Sequence, residues 1–316
     1  MLKKASLPII LALLIAFSIS TAAYSGDLSK LKKRVAVFEF EDKTDHSVRW
    51  WSGQSVGSGM ADMLITELVN SGKYTVIERT AMDHILKEQG LGQSGAVTQQ
   101  SAASVGKMLG VQVAIVGSVT EFGHAKGGTG GRLKGVSVGV SSQKAVVAVD
   151  VRFIDTTTGE ILDSKSARKE KSKRGLSLGT EKFAFRNRNE FDQSLVGKAC
   201  REAITEVQKA LDSQLEKTPW QAKVIKASSG SVIINVGAEA GVENGMEFVV
   251  YSAGEELIDP DTGLSLGTEE EKVGRIRVTK NNLGNGKASQ CEILEPSGGP
   301  AGASGFYWWG GTGRLL

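Results

Sequence analysis

The pattern of apolar residues changes character once along the chain, at Thr218-Pro219, and that change constrains the fold more than any other feature. Before it, strand-like runs alternate with helix-spaced runs, the pattern of a sheet with helices packed on it. After it the runs are short and strand-like, separated by Gly237, Gly241, Gly245, Gly254 and Gly263, as in a small β-barrel or sandwich. The expected fold class is therefore α/β (α+β). A sheet with flanking helices fills residues 30–217, and a small all-β barrel domain fills 219–295. The glycine-rich stretch 296–316 is expected to be a disordered tail; its Phe306-Tyr307-Trp308-Trp309 leaves a partner contact open.

Local signals set the elements of the first domain. Val35–Phe40 is a strand, and Met60, Met63, Leu64 and Leu68 recur at helical spacing until Gly72 closes the helix. Tyr74–Ile77 is a second strand. Thr80–Asp83 resembles a capping box with Asp for Glu, and its helix carries Met82, Ile85 and Leu86. Thr98 caps a further helix with Ala102, Val105, Met108 and Leu109 on its inner face. Val111–Thr120 is apolar on both faces, as a central strand would be. Gly123–Gly131 is expected to be a flexible hairpin end. Val136–Val140 and Ala145–Phe153 alternate as an antiparallel extension, which we bound at 123–189, and Asp155–Gly159 is a turn. The last helix is expected over Asp192–Leu215. In the second domain, strands are expected at Ala222–Ala227, Ser231–Val236, Met246–Tyr251, Val273–Val278 and Lys287–Leu294.

Residues 1–25 have the features of a secretory signal. Lys3 and Lys4 precede the apolar run Leu7–Ile19, which is shorter than the roughly 20 residues of a membrane-spanning helix. Cleavage is expected near Ala23 or Ser25, an uncleaved anchor being the alternative. No cysteine lies near the cut for lipid attachment. Cys200 and Cys291 are the only thiols, each in a regular apolar pattern. Two separately buried cysteines are expected rather than a disulfide.

Composition bounds the chemistry. With 38 Lys+Arg against 35 Asp+Glu the chain is +3, too little excess for a nucleic-acid binder. The balance is uneven. Residues 123–189 hold 14 basic and 6 acidic side chains, and 219–295 hold 7 basic and 12 acidic ones. The two regions can attract each other within or between subunits, or the basic one can face an anionic surface. Gly53-Gln54-Ser55-Val56-Gly57 matches G-x-S-x-G, but Arg49-Trp50-Trp51 is a poor strand to precede a hydrolase elbow. Ser55 as a helix cap is the plain alternative. Asp259–Gly263 lacks the closing ligands of a calcium loop and is a β-turn. His46, His84 and His124 have no neighbour at metal-ligand spacing, so no metal and no cofactor is implied. Trp50 and Trp51 either cover a core edge or contact a partner.

Several blocks resemble the curli secretion channel family (CsgG type). They are Val35–Phe40, Gly59–Leu68, Val76-Ile77-Glu78-Arg79, Ile85–Gln89, Gly110–Phe122, Val149–Leu162 and Asp192–Ile204, in the family's order over roughly 30–215. The resemblance implies an anticodon-binding-domain-like sheet with flanking helices in a non-enzymatic, ring-forming subunit of the periplasm or outer membrane. In the channel each subunit lends two hairpins to a shared barrel, and a loop after the first strand narrows the pore. The matching loop here spans about His46–Gln54, which makes Trp50, Trp51 and Gln54 the implied constriction or subunit contacts. Arg132, Lys134, Val136, Val138 and Val140 mark the implied interaction extension. Gly237–Phe248 and the Asp259–Gly263 turn resemble the small barrel of a flagellar assembly protein, which also implies an assembly role.

The expectation is a non-enzymatic assembly or transport component, homo-oligomeric, with a secreted or envelope protein as partner and a possible outer-membrane association. A true secretion pore is one alternative. It needs strands of about 9–11 residues with an apolar face. Lys165–Arg174 fails that test, because each Lys or Arg facing lipid costs about 2–4 kcal/mol. A cell-envelope adaptor or enzyme activator and, least favoured, a serine hydrolase are the others.

Overall fold

The computed structural model describes residues 30–44, 50, 53–77, 98–133, 136–175, 187–228, 230–261, 265–296 and 314–315. The helix expected to open at Thr80–Asp83, His46, His84, Trp51, Lys134 and Phe306–Trp309 lie outside them.

The first domain is a mixed sheet between two helical layers. Its strands are β1 (Lys33–Val37), β2 (Glu41–Asp42), β3 (Tyr74–Ile77), β4 (Val113–Leu133), β5 (Val136–Asp155) and β6 (Ile161–Gly175), ordered β3-β1-β4-β5-β6 with β2 on β4. β1 runs parallel to β3 and β4, whereas β4, β5 and β6 are antiparallel. β1 is buried on both sides. Val35 and Val37 join the core under α1 (Val56–Ser71) and α4 (Leu195–Lys217), and Ala36 and Phe38 join the one under α2 (Gln99–Leu109). A continuous apolar run in a central parallel strand requires this.

The helices start and stop where side chains satisfy their free backbone groups. Ser55 Oγ accepts the Ser58 N–H at 3.0 Å, and Gly72 ends α1 at φ 69°, a left-handed backbone that favours glycine. Thr98 Oγ1 accepts the Ser101 N–H ahead of α2. The helix expected over 192–215 is two. α3 (Arg188–Gln193) stops at Ser194, whose Oγ donates to the Phe191 carbonyl at 2.6 Å and accepts the Gly197 N–H at 3.0 Å to open α4. Gly197 lies against the Phe191 backbone, where a Cβ would collide.

The expectation of a flexible glycine-rich end is corrected. β4 continues through Gly123–Gly131, paired residue by residue with β5 from Val113↔Asp155 to Leu133↔Val136, with one register shift at Val119/Glu121. The ladder supplies the backbone hydrogen bonds, and they outweigh a glycine cost of about 0.5–1 kcal/mol per residue. The turn after β5 forms as expected: Asp155 Oδ1 accepts the N–H groups of Thr157 and Thr158 at 2.6 and 3.2 Å.

The second domain is a closed barrel. It contains β7 (Ala222–Ser228), β8 (Ser231–Ile234), β9 (Glu247–Ile258), β10 (Ser265–Leu283), β11 (Ala288–Pro296) and β12 (Arg314–Leu315), in the order β10-β11-β8-β7-β12-β9. The tail is therefore corrected at its far end. Arg314 and Leu315 pair with Lys223 and Ala222 on one side and with Tyr251 and Val250 on the other. Closure leaves no barrel edge unpaired there, a gain that local composition does not signal.

The residues before β1 tie the domains together. Leu31 is buried in the barrel core, the Lys32 N–H donates to the Ala240 carbonyl at 2.9 Å, and Trp220 Nε1 donates back to the Lys32 carbonyl at 3.2 Å. Cys200 and Cys291 are both free and buried, one in each domain's core.

Candidate assembly surface

Trp50 faces inward. It is 5% exposed, with its ring centroid 4.6 Å from that of Phe191 and 5.9 Å from that of Phe122. Gly59 of α1 lies directly beneath it, and a Cβ there would enter the indole. A side chain held between two aromatic rings and a helix backbone closes the core, which fits the core-edge alternative for Trp50. Gln54 is exposed beside the cap of α1.

Ser55 is committed to capping. Its Oγ also donates to Glu39 Oε1 at 3.3 Å, and Ser58 Oγ hydrogen-bonds the same carboxylate oxygen. Among the described residues no group of three or more His, Cys, Asp or Glu could hold a metal ion. No helix among them is long and apolar enough to cross a membrane, which says nothing of strands.

The expected interaction extension is a ribbon continuous with the core sheet. Arg132 stands opposite Ser137, Leu133 opposite Val136, Gly131 opposite Val138 and Thr129 opposite Val140. β6 accompanies the ribbon as far as Ser141↔Gly175.

The basic residues of β6 have a use that one strand's sequence does not reveal. Lys165 pairs with Glu206 of α4 at 2.6 Å, Lys169 bonds the same carboxylate, and Lys171 pairs with Glu202 at 2.5 Å. Ala167, between them, is buried in the core. Hydrogen bonds from Lys165 and then Lys169 hold the Glu206 carboxyl below the usual carboxylate range, against the opposing effect of desolvation. On the other face Arg168 Nε bonds both oxygens of Glu121 at 3.0 and 3.2 Å, and Lys144 pairs with Glu170 at 2.6 Å. Lys165–Lys171 thus belongs to a sheet–helix contact inside the domain. That use agrees with the expectation that this stretch does not face lipid.

The fold and this surface define a two-domain scaffold that presents long paired strands. The chain belongs to the family of the curli production assembly/transport component CsgG, whose family model matches residues 17–236. Curated CsgG proteins of Salmonella typhimurium and of Escherichia coli K12 are 25% identical over 161 residues, 48% of this chain and 57% of theirs. The chain thus spans little more than half the length of those relatives. A Neisseria meningitidis serogroup B protein, described by its name as a lipoprotein, is 24% identical over 202 residues, 63% of this chain and 84% of its own. Among solved structures, the C-terminal domain of LpoB from Salmonella enterica overlaps 46% of this chain and 87% of its own at 17% identity, with a TM-score of 0.31. A PelC dodecamer from Paraburkholderia phytofirmans overlaps 60% and 92% at 14% identity, with a TM-score of 0.30. Scores this low constrain neither fold nor function.

Proposed function

We propose that this chain is a non-enzymatic assembly or transport component of the cell envelope. In this reading residues 1–25 export it, and it works as a homo-oligomer joined through β4, β5 and β6. The observation that carries the reading is the strand extension. β4 and β5 stay paired well past the last core residues, Phe122 and Ala145, and β6 is the outer strand among those described. A long outer strand presents a row of backbone donors and acceptors that a neighbouring copy can complete. A head-to-tail contact of that kind closes into a ring where the rotation between copies closes, and otherwise gives an open filament. Family membership agrees with an assembly role, and the curated relatives' names place them in curli transport or among lipoproteins. Particle size and symmetry of the mature protein, by sedimentation and negative-stain microscopy, test it. Ring-shaped particles are expected, and a lone monomer at high concentration would overturn the reading.

A secretion pore is the second reading, and the length of the ribbon favours it. Residues 124–133 pair with 136–145, a stretch as long as the roughly 9–11 residues of a membrane strand. Recovery only after detergent extraction of outer membrane, together with ion conductance in planar bilayers, is the outcome this reading requires. A fully water-soluble ring without conductance excludes it.

A further inference from the structure

Among the described residues, the wall of the barrel is completed by a strand of only two residues. β12 lies between β7 and β9, which bond to β8 and β10 on their other sides and not to each other. Arg314 pairs with Lys223 and Tyr251, and Leu315 pairs with Ala222 and Val250. β7 is seven residues long and β9 twelve, so the walls of this slot run well past the strand that fills it. Without β12 their facing edges would present unpaired backbone groups, a template for an extended segment. The register is selective. Leu315 stands level with Ala222 and Val250, both in the barrel core, and Arg314 stands level with the exposed Lys223. An occupant therefore needs an apolar residue at the first level and a polar one at the second.

The chain between β11 and β12 is longer than the slot requires. Pro296 stands opposite Gly274, Gly274 opposite Val250, and Val250 opposite Leu315. These three steps from strand to strand amount to at most about 14 Å, at about 4.8 Å each. About five extended residues would cover that distance. Between Pro296 and Arg314 lie the 17 residues 297–313. A chain of that length reaches as far as about 60 Å when extended. A longer connection costs more entropy to close, so the excess reduces the advantage of a chain's own β12 over that of a neighbour.

We infer that β12 is exchanged between copies, so that the β7–β9 slot of one chain takes Arg314–Leu315 of a second. A second copy carries the same two residues in the same order and makes the same four pairings. Nothing in the barrel changes when the donor does, and exchange of an identical element is a low-cost route to joined subunits. This contact joins copies through the barrels. It uses none of the strands β4, β5 and β6, and does not rest on their role in assembly.

The test uses two differently tagged full-length chains, co-expressed, one with Arg314→Cys and the other with Tyr251→Cys. Directly opposed Cα atoms of antiparallel strands lie about 4.5–5.5 Å apart, within the roughly 4.4–6.8 Å that a disulfide spans. Cys200 and Cys291 are buried and do not compete. After oxidation, a non-reducing gel is expected to show a linked pair carrying both tags. Lys223→Cys is the second acceptor, should Tyr251→Cys fail to fold. Arg314→Cys with Lys280→Cys, an exposed position outside the slot, is expected to give no linked pair. A disulfide formed only when Arg314→Cys and Tyr251→Cys share one chain would overturn the inference, because β12 then stays at home. So would no disulfide in either arrangement, or as much linkage through Lys280→Cys. Rings without the linked pair would remove the exchange and leave assembly through β4, β5 and β6. A linked pair without rings would do the reverse.

Discussion

Gly59→Ala should destabilise the protein when Trp50 is present and stabilise it when Trp50 is replaced by alanine. The three heavy atoms nearest to a Cβ built at Gly59 all belong to the Trp50 ring. That ring is held by Phe191 and Phe122 and cannot slide away without opening the core. Forcing a methyl group into such a contact costs about 1–3 kcal/mol. Alanine gains about 1 kcal/mol over glycine inside a helix, so the net loss should be up to about 2 kcal/mol. Trp50→Ala alone should cost about 3–5 kcal/mol. In that background the collision is gone, and Gly59→Ala should raise stability by about 1 kcal/mol. Urea unfolding followed by far-UV circular dichroism supplies the midpoints and slopes for the four proteins. Trp50→Leu can stand in if the alanine variant is too unstable to give a native baseline. If Gly59→Ala has the same effect in both backgrounds to within about 0.5 kcal/mol, Trp50 is not seated on α1. The reading of Trp50 as a core-edge side chain then falls.

The Lys165–Glu206–Lys169 contact has a signed pH dependence. Because the folded carboxyl lies below its ordinary value of about 4.3, its contribution is present above that value and is lost as pH falls through the lower folded one. Wild type should exceed Glu206→Gln by about 0.5–1 kcal/mol at pH 6, the gap closing below about pH 4; denaturation midpoints that show a pH-independent gap would contradict this. Deleting residues 314–316 should speed amide exchange in β7 near Lys223 and in β9 near Tyr251, where β12 pairs. Unchanged protection there would mean that β12 does not close the barrel. Ser55→Ala should cost about 1 kcal/mol through loss of the α1 cap, read as a lower urea midpoint, and an unchanged midpoint would remove the cap.

Much of the fold was legible because its signals are local. Ser55, Gly72 and Thr98 mark helix ends through hydrogen bonds or backbone angles that span a few residues. The Asp155 turn is equally local, and the alternation in β5 states which residues face the core. The glycine-rich half of β4 was misread for the same reason. Taken alone, glycine signals flexibility, and only the partner strand shows that each residue is paired. The Ser194 break was missed because one serine inside an apolar stripe is a weak signal until Phe191 and Gly197 are seen to close on each other.

The sequence by itself determined the change from helix-and-strand to all-strand pattern after Thr218-Pro219, the α/β and all-β classes, and the family. All three rest on periodicity and on ordered blocks along one chain. Tertiary structure alone decided where particular side chains are used. It put Trp50 on Gly59, set the lysines of β6 against the glutamates of α4, and brought Arg314–Leu315 between β7 and β9. Each of these joins residues far apart in the chain. A side chain's burial, charge partner or strand partner depends on that distant neighbour, so the pattern around the residue itself does not encode it.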